Sequence, residues 1–491
     1  MSEKLKMYIN GQWADAAAGN TADIINPASG EVIAVAAAGG VPDVERAVAA
    51  AKAAFYNHGW WDTPAVERAR LLFAVADLLE QDADELARAE TLNCGKPLRE
   101  SYYDVSDAAG CFRYFAGLAT KPQGQTYEVP DSVQALVVRE PIGVCGLIVP
   151  WNYPLLMGVW KLAPALAAGN TVVFKPAGVT PVTAVKLFEI FEKAGFPPGV
   201  ANLILGPGSV VGSAIASHPD VHKVAFTGGT DTGRSIMTAA AGNIKKITLE
   251  LGGKSPNIVF ADTDFETAVD YALFGIFANQ GEVCSAGSRL LLEDSIHDKF
   301  IEVMAEKAKK IKVGPGLLPE TEMGPLVSRS HMEKVLEYIE IGKKEGARLV
   351  CGGGRITAGQ CAGGYFVEPT IFTDTTPDMT IVREEIFGPV LAVQRFKDEA
   401  EAIKLANDTV YGLAGGVFTS DAARAHRVIR KLRAGITWIN CYHPTYNEAP
   451  WGGYKQSGIG RDLGTYGFEE FTEVKQINVS LDVKPSGWFS G

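Results

Sequence analysis

Lys223-Val-Ala-Phe-Thr-Gly-Gly-Thr-Asp-Thr-Gly233 reads as a β-rich run, Lys223–Phe226, that passes through a glycine turn into a helical pattern at Thr232 to Ala240. Such a turn can offer backbone N–H groups and a helix N-terminus to a pyrophosphate. It is not GxGxxG, so alone it is weak evidence. The same alternation extends outward from it. Leu136–Arg139, Val144–Val149, Thr171–Phe174 and Leu203–Leu205 are short β-rich runs, and the later ones lead through Gly or Pro turns into helical patterns such as Val182 to Ala194. A second block begins after Leu251-Gly252-Gly253 and runs to about Gly458. Its expected strands are Asn257–Phe260, Arg289–Leu292, Val390–Arg395 and Thr437–Asn440, with helices at Asp298–Lys312 and Ser330–Glu345. Strands alternating with helices imply α/β domains with parallel sheets, which bind ligands beyond the C-terminal strand ends. Ahead of both blocks lie a hairpin (Met7 to Ile9, turn Asn10-Gly11, Trp13) and amphipathic helices at Val44 to Phe55, Ala65 to Ala89 and Tyr102 to Ala119. Strand character returns at Glu469 to Ser480.

The chain has 491 residues, enough for two to four domains at roughly 150 residues each. With 47% apolar and 21% charged residues it is an ordinary globular composition, not a disordered or fibrous one. A formal charge of -11 disfavours nucleic acid and anionic lipid as partners. Seven scattered cysteines without a CxxC pair do not form a disulfide framework, and the histidines show no ligand spacing, so no metal site is expected. The start, MSEKLKMYINGQW, lacks the apolar core of a signal peptide, and Pro150, Asn152, Pro154, Lys161 and Pro164 interrupt the apolar stretch Gly143 to Ala168. These features point to a soluble, cytoplasmic protein.

Four residues could carry chemistry. Cys284 lies in a Gly-flanked loop before the run Leu290–Leu292, where a thiol can face a cleft as a nucleophile; the alternative is one more buried small apolar side chain. Glu250, between two leucines before a Gly-Gly turn, would have its pKa raised by burial and become a usable base; the alternative is a surface carboxylate. Asn152, between two prolines, could be an oxyanion donor or simply a helix cap. Lys175 ends a strand where a cofactor hydroxyl or phosphate could lie, although most lysines are merely solvated.

Taken in order, PWNYP, FKPA, FTGGTDTG, LELGGK, GEVCSAGSR, EEIFGPV and PWGGYKQSG resemble the aldehyde dehydrogenase superfamily. The resemblance implies an NAD(P)-binding domain of Rossmann-like form over 1–123 and 142–253, a catalytic α/β domain over 254–458, and oligomerisation strands over 124–141 and 469–491 that join subunits into dimers or tetramers. It further implies that Cys284 attacks the aldehyde, that Glu250 activates the deacylating water, that Asn152 and the Cys284 N–H form the oxyanion hole, and that Lys161 relays protons. Cofactor contacts are implied for Ile148, Trp151, Lys175, Gly178, Gly208, Phe226, Gly228, Gly229, Leu251, Glu385 and Phe387. Two departures stand out. Gly178 replaces a glutamate that in many NAD-preferring members grips the ribose and repels a 2′-phosphate, so NAD is the expected cofactor with NADP tolerated. Asp462 stands where the family usually has Glu.

For the substrate, the resemblance implies a pocket of Tyr153, Met157, Trp160, Val283, Ser285, His443 and Trp451. Tyr153 and Trp160, seven residues apart, are expected on one face of one helix, with Trp451 meeting them and Tyr442, His443 and Tyr446 nearby. Converging aromatic faces suit a quaternary ammonium, and the segment Tyr442 to Gly460 looks like the betaine aldehyde dehydrogenase branch. Ala278, where several members of that branch place a large aromatic, enlarges the pocket. Betaine aldehyde, or a longer amino- or trimethylamino-aldehyde, is therefore the expected substrate, with an apolar tunnel for aliphatic or aryl aldehydes as the alternative.

Overall fold

The computed structural model describes residues 3–121 and 124–489. Residues 1–2, 122–123 and 490–491, at the limits of the expected spans 1–123 and 469–491, lie outside the described residues. Five parallel strands form the middle of an eight-stranded sheet, in the spatial order Lys246–Glu250, Lys223–Thr227, Val144–Ile148, Thr171–Lys175, Ala201–Leu203. Antiparallel additions close both edges, Gly458–Ile459 on one side and the hairpin Met7–Ile9 with Gln12–Ala14 on the other. Strands such as Val144–Ile148 and Thr171–Lys175 are buried at every residue. This is why they read as continuous apolar runs: helices cover both faces of the sheet.

The helix Pro154–Ala167 is buried on all sides. Its apolarity therefore reflects the core of a large sheet, and among the described residues no helix is long and apolar enough to cross a membrane. A second sheet of seven strands runs Arg348–Cys351, Thr370–Thr373, Val390–Phe396, Arg289–Glu293, Pro256–Val259, Ala414–Phe418, Ile436–Ile439, parallel except at its first member. A small sheet joins Glu3–Leu5, Val32–Ala37 and Thr21–Ile25. The last is a ribbon in which Thr472–Ser480 pairs over nine residues with Val133–Pro141, with Gln125–Tyr127 alongside.

Several expectations need correction. The run Leu136–Arg139 lies in this ribbon and not in the alternating sheet, because its partner strand comes from the far end of the chain. Ala65 to Ala89 is two helices, Ala65–Gln81 and Ala83–Cys94, broken at Asp82 (φ -95°, ψ 17°), a residue type whose side chain competes for backbone hydrogen bonds. The third strand of the large sheet is Ala201–Leu203, two residues earlier than the run Leu203–Leu205. Glu469 ends a short helix, Gly464–Glu469, and the final strand starts only at Thr472.

Candidate active site

Numbered along the chain, the five parallel strands of the first sheet lie in the order 5-4-1-2-3. Strand order therefore reverses between Val144–Ile148 and Lys223–Thr227, the point at which parallel α/β sheets open a ligand-binding crevice beyond their strand ends. Ile148 and Phe226 are register partners at this point, and the loop Val149–Tyr153 and the turn Gly228-Gly229 flank the opening. Glycine is needed at Gly228, since a Cβ there would lie 2.5 Å from the Phe226 ring. Gly229 caps the helix Thr230–Ala240 without any side-chain hydrogen bond, and a Cβ there would meet nothing within 4 Å. The helix start is thus left open, and the hydroxyls of Thr227 and Thr230 are buried without partners beside it. Leu251 packs on the same helix at Gly233.

Lys175 is paired in register with Ile148 on the next strand. Its Nζ donates to the Pro176 carbonyl (2.9 Å), and burial lowers its pKa to about 8. Gly208 lies beside that ammonium, and Gly178 faces the Gly206 carbonyl with room for a side chain.

Cys284 follows a strained turn. Asn279, Gln280 and Gly281 all have positive φ (45°, 46° and 74°), a conformation costly for a residue such as Gln. The surroundings fix it: Asn279 Nδ2 donates to the Asn152 carbonyl (3.0 Å), and a Cβ on Gly281 would strike the Gly388 carbonyl at 2.2 Å. From behind, Tyr442 donates its hydroxyl to the Ser285 carbonyl (3.0 Å). Its ring fills space that Gly275, Gly287 and Gly416 leave open. Cys284 is partly exposed, and its sulfur faces the backbone N–H groups of Cys284 and Ser285. Burial, with the carboxylates of Glu385 and Glu250 nearby, pushes the thiol up to about 12. A protonated thiol of this kind needs a base or a change of surroundings before it attacks.

Asn152 Nδ2 donates to the Glu282 carbonyl (2.8 Å), which fixes the amide and leaves one of its two N–H bonds for a ligand. Glu250 ends the strand beside Thr227, and both its oxygens are buried without a hydrogen-bond partner. Burial, then the charge of Asp462, raises its pKa well above the usual range, with Lys161 and Arg461 opposing. Lys161 is paired with Asp462 at 2.8 Å, both almost fully buried, so the shorter aspartate still reaches it. Glu385 accepts the Gly253 N–H (2.9 Å) and is raised to about 7, and Lys254 beside it, also buried, falls to about 7.

The aromatic wall differs from expectation. Trp160 and Trp451 meet at 5.5 Å and 62°, and Trp438 stands 6.5 Å from Trp451. Tyr153, however, precedes the helix (φ -133°, ψ 69°) and so does not share a helical face with Trp160. The ammonium of Lys96 lies 3.9 Å from its ring centre. Tyr442 is the buried support just described, and Tyr446 is exposed. His443 has φ 76° and packs on Phe274; burial lowers its pKa to about 4, and its Nε2 has no partner. Met157, Val283 and Ser285 are buried.

Glu282, His331, Trp438 and Lys96 were not singled out from sequence. Of these, Glu282 carried a usable signal: it is the one carboxylate in the loop Asn279–Ser288, two residues before the thiol. Among the described residues no cluster of His, Cys, Asp and Glu could hold a metal.

The profile of the Aldehyde dehydrogenase family matches residues 13–477. The chain is 51% identical over 486 residues to a betaine aldehyde dehydrogenase of Bacillus subtilis (strain 168), covering 99% of each. It is 48% identical to a mitochondrial aldehyde dehydrogenase of Homo sapiens, over 98% of this chain and 93% of that one. A crystal structure of betaine aldehyde dehydrogenase from Staphylococcus aureus in complex with NAD+ superposes with a TM-score of 0.98 at 48% identity, covering 99% of this chain and 97% of that one. With the match spanning nearly every element described above, the chain belongs to the aldehyde dehydrogenase family.

Proposed function

We propose that the chain oxidises betaine aldehyde to its carboxylic acid, with NAD as hydride acceptor. The observation that carries this reading is that Glu250 lies close enough to Cys284 to act on its thiol while its own carbonyl accepts the Gly228 N–H (3.0 Å) at the open start of the helix Thr230–Ala240, and that the Asn152 amide is tied to the loop of the thiol through the Glu282 carbonyl. A dinucleotide fits these residues: the uncapped helix start and the bare Gly229 would hold its pyrophosphate, Lys175 a ribose hydroxyl, and Glu385 and Phe387 the nicotinamide end. When bound, NAD supplies the acceptor for the aldehyde hydrogen. Without a carboxylate at Gly178 nothing repels a 2′-phosphate, so NADP is accepted as well.

In this reading the Cys284 sulfur bonds to the carbonyl carbon, and its proton leaves to a nearby base. The oxygen that gains charge is held by the free N–H of Asn152 and the backbone N–H of Cys284. Loss of hydride leaves a thioester on Cys284. Glu250 then takes a proton from water as the water attacks that thioester, and the acid departs as the thiol is restored. The Lys161–Asp462 pair lies beside Glu250, its lysine favouring the charged glutamate and its aspartate the neutral one.

The trimethylammonium group would lie against Trp160 and Trp451, and a neutral His443 adds no repelling charge. The named relatives support this substrate. One observation favours the second reading, a broader range of amino- or neutral aldehydes: Lys96 already occupies one face of Tyr153, which weakens that ring as a cation receptor. By the same resemblance we assign residues 1–123 and 142–253 to cofactor binding, 254–458 to catalysis, and 124–141 with 469–491 to self-association as a dimer or tetramer. The solvent-facing Val474, Ile477, Val479 and Leu481 of the ribbon support the last assignment. A panel of betaine aldehyde, aminobutyraldehyde, trimethylaminobutyraldehyde, hexanal and benzaldehyde, followed at 340 nm with NAD and with NADP, tests the whole. The highest kcat/KM should fall to betaine aldehyde with NAD; a higher value for hexanal would select the broader reading.

A further inference from the structure

We propose that Glu282 and His331 are positioning residues, a brace that holds the Phe387 turn in register with the loop of Cys284. The inference rests on the reading that Phe387 faces the dinucleotide.

Phe387 has φ 63°, the left-handed region, where a bulky side chain is strained and persists only if its surroundings over-determine it. What holds it is His331, whose Nε2 lies 2.6 Å from the Phe387 carbonyl oxygen. A carbonyl only accepts, so the ring proton sits on Nε2 and is donated there. The same nitrogen is 3.7 Å from Glu282 Oε1, too far for a second hydrogen bond but close enough for that carboxyl to back the ring and fix where it sits. Glu282 is buried, its Oε1 also accepting the Val327 N–H (2.9 Å) and its Oε2 the Gln280 Nε2 (3.1 Å).

The backbone of Glu282 completes the linkage, since its carbonyl accepts Asn152 Nδ2 (2.8 Å) and Asn279 Nδ2 (3.3 Å). One residue therefore ties the oxyanion amide to the cofactor-facing turn. The rings agree: Trp151 stands 5.0 Å from His331 and 5.2 Å from Phe387, edge to face. The two loops also touch directly, where Gly281 leaves no space for a Cβ against Gly388. Burial lowers the His331 pKa to about 4, so the ring is neutral and has a single N–H to give. That N–H is spent on holding Phe387, not on charge.

The test uses the full chain. His331→Phe keeps a ring against Trp151 and removes the donor; His331→Gln restores a donor; Glu282→Gln keeps an acceptor for the Val327 N–H. We expect His331→Phe and Glu282→Gln each to raise KM for NAD roughly three- to tenfold, the worth of about one net hydrogen bond, and to slow the first NADH burst. KM for betaine aldehyde should stay within about twofold, His331→Gln should recover most of the loss, and the double variant should be no worse than His331→Phe alone. An unchanged KM for NAD, a parallel rise in both KM values, or fully additive effects would overturn the brace. Calorimetric titration with NAD should register the same loss of affinity in the absence of turnover. A parent that binds NAD but oxidises no aldehyde would thus sink the proposed activity while leaving the brace to its own result.

Discussion

At the scale of single residues, Glu250 is the most exposed to test. Its two oxygens have no hydrogen-bond partner, and burial holds its pKa well above the ordinary carboxylate. A raised pKa means that the base form appears only as pH increases, so the deacylation rate should climb with pH while the first hydride transfer does not depend on it in the same way. Replacing Glu250 by Gln keeps the shape and removes the proposed base. Stopped-flow traces at 340 nm should then show a burst of NADH equal to the active sites, followed by a steady rate reduced at least about a hundredfold, the lower range for general base catalysis, and no longer rising with pH. Loss of the burst itself would place Glu250 in activating the thiol instead. The carboxylate was readable in sequence because two leucines and a glycine pair leave it no water. Tyr153 was misread for an equally local reason: Pro154 starts the helix after it, so the seven-residue spacing to Trp160 is not helical.

Among elements, the helix Thr230–Ala240 trades stability for an opening. A glycine at its cap leaves the first N–H groups without a protein acceptor, where Asp would supply one and stabilise the helix by about a few tenths of a kcal/mol. Gly229 has the extended conformation a capping residue adopts (φ -68°, ψ 147°), so Asp fits without strain. Gly229→Asp should therefore leave the thermal midpoint of the ligand-free protein unchanged or higher, and raise KM for NAD roughly tenfold or more by placing a carboxylate at the proposed pyrophosphate position, about 1.4 kcal/mol of lost affinity. Should NAD bind as well to the variant, the pyrophosphate lies elsewhere. This strand, turn and helix were legible because three signals coincide within some twenty residues. The helix Val182–Ala194 was read to the residue, since Pro181 and Gly195 punctuate it. The strands Arg348–Cys351, at the sheet edge, and Thr370–Thr373, next to it, went unnoticed: runs of four residues carry little period, and tertiary pairing makes them.

For the whole molecule, buried charge sets the response to pH. Burial raises Glu90, Glu100 and Glu385 to about 7 and Glu282 to about 8, against about 4.5 when unfolded. Between those values the folded chain holds protons that the unfolded chain has lost, so stability falls as pH rises from about 5 to about 8. Burial also lowers Lys175 and Lys223 to about 8 and Lys254 to about 7, from 10.5. Above those values the unfolded chain holds the extra protons, and stability recovers towards pH 10. The thermal midpoint of the ligand-free protein, scanned by calorimetry, should pass through a minimum near pH 8; a maximum there would contradict this account.

The Lys161–Asp462 pair joins residues 301 apart in sequence, and the ribbon joins Val133 to Ser480. On a ribosome adding about 5–20 residues per second, the lysine in the middle of the first sheet's most buried helix waits some 15–60 s for its counter-ion. Until then a bare ammonium sits in a place built to exclude water, and a long strand stands without its mate. The growing chain is thus obliged to keep its interior unsealed until Asp462 and the strand Thr472–Ser480 have been made, and a polypeptide that stops before them has the side chains of Asn152, Glu250 and Cys284 and no closed interior to hold them.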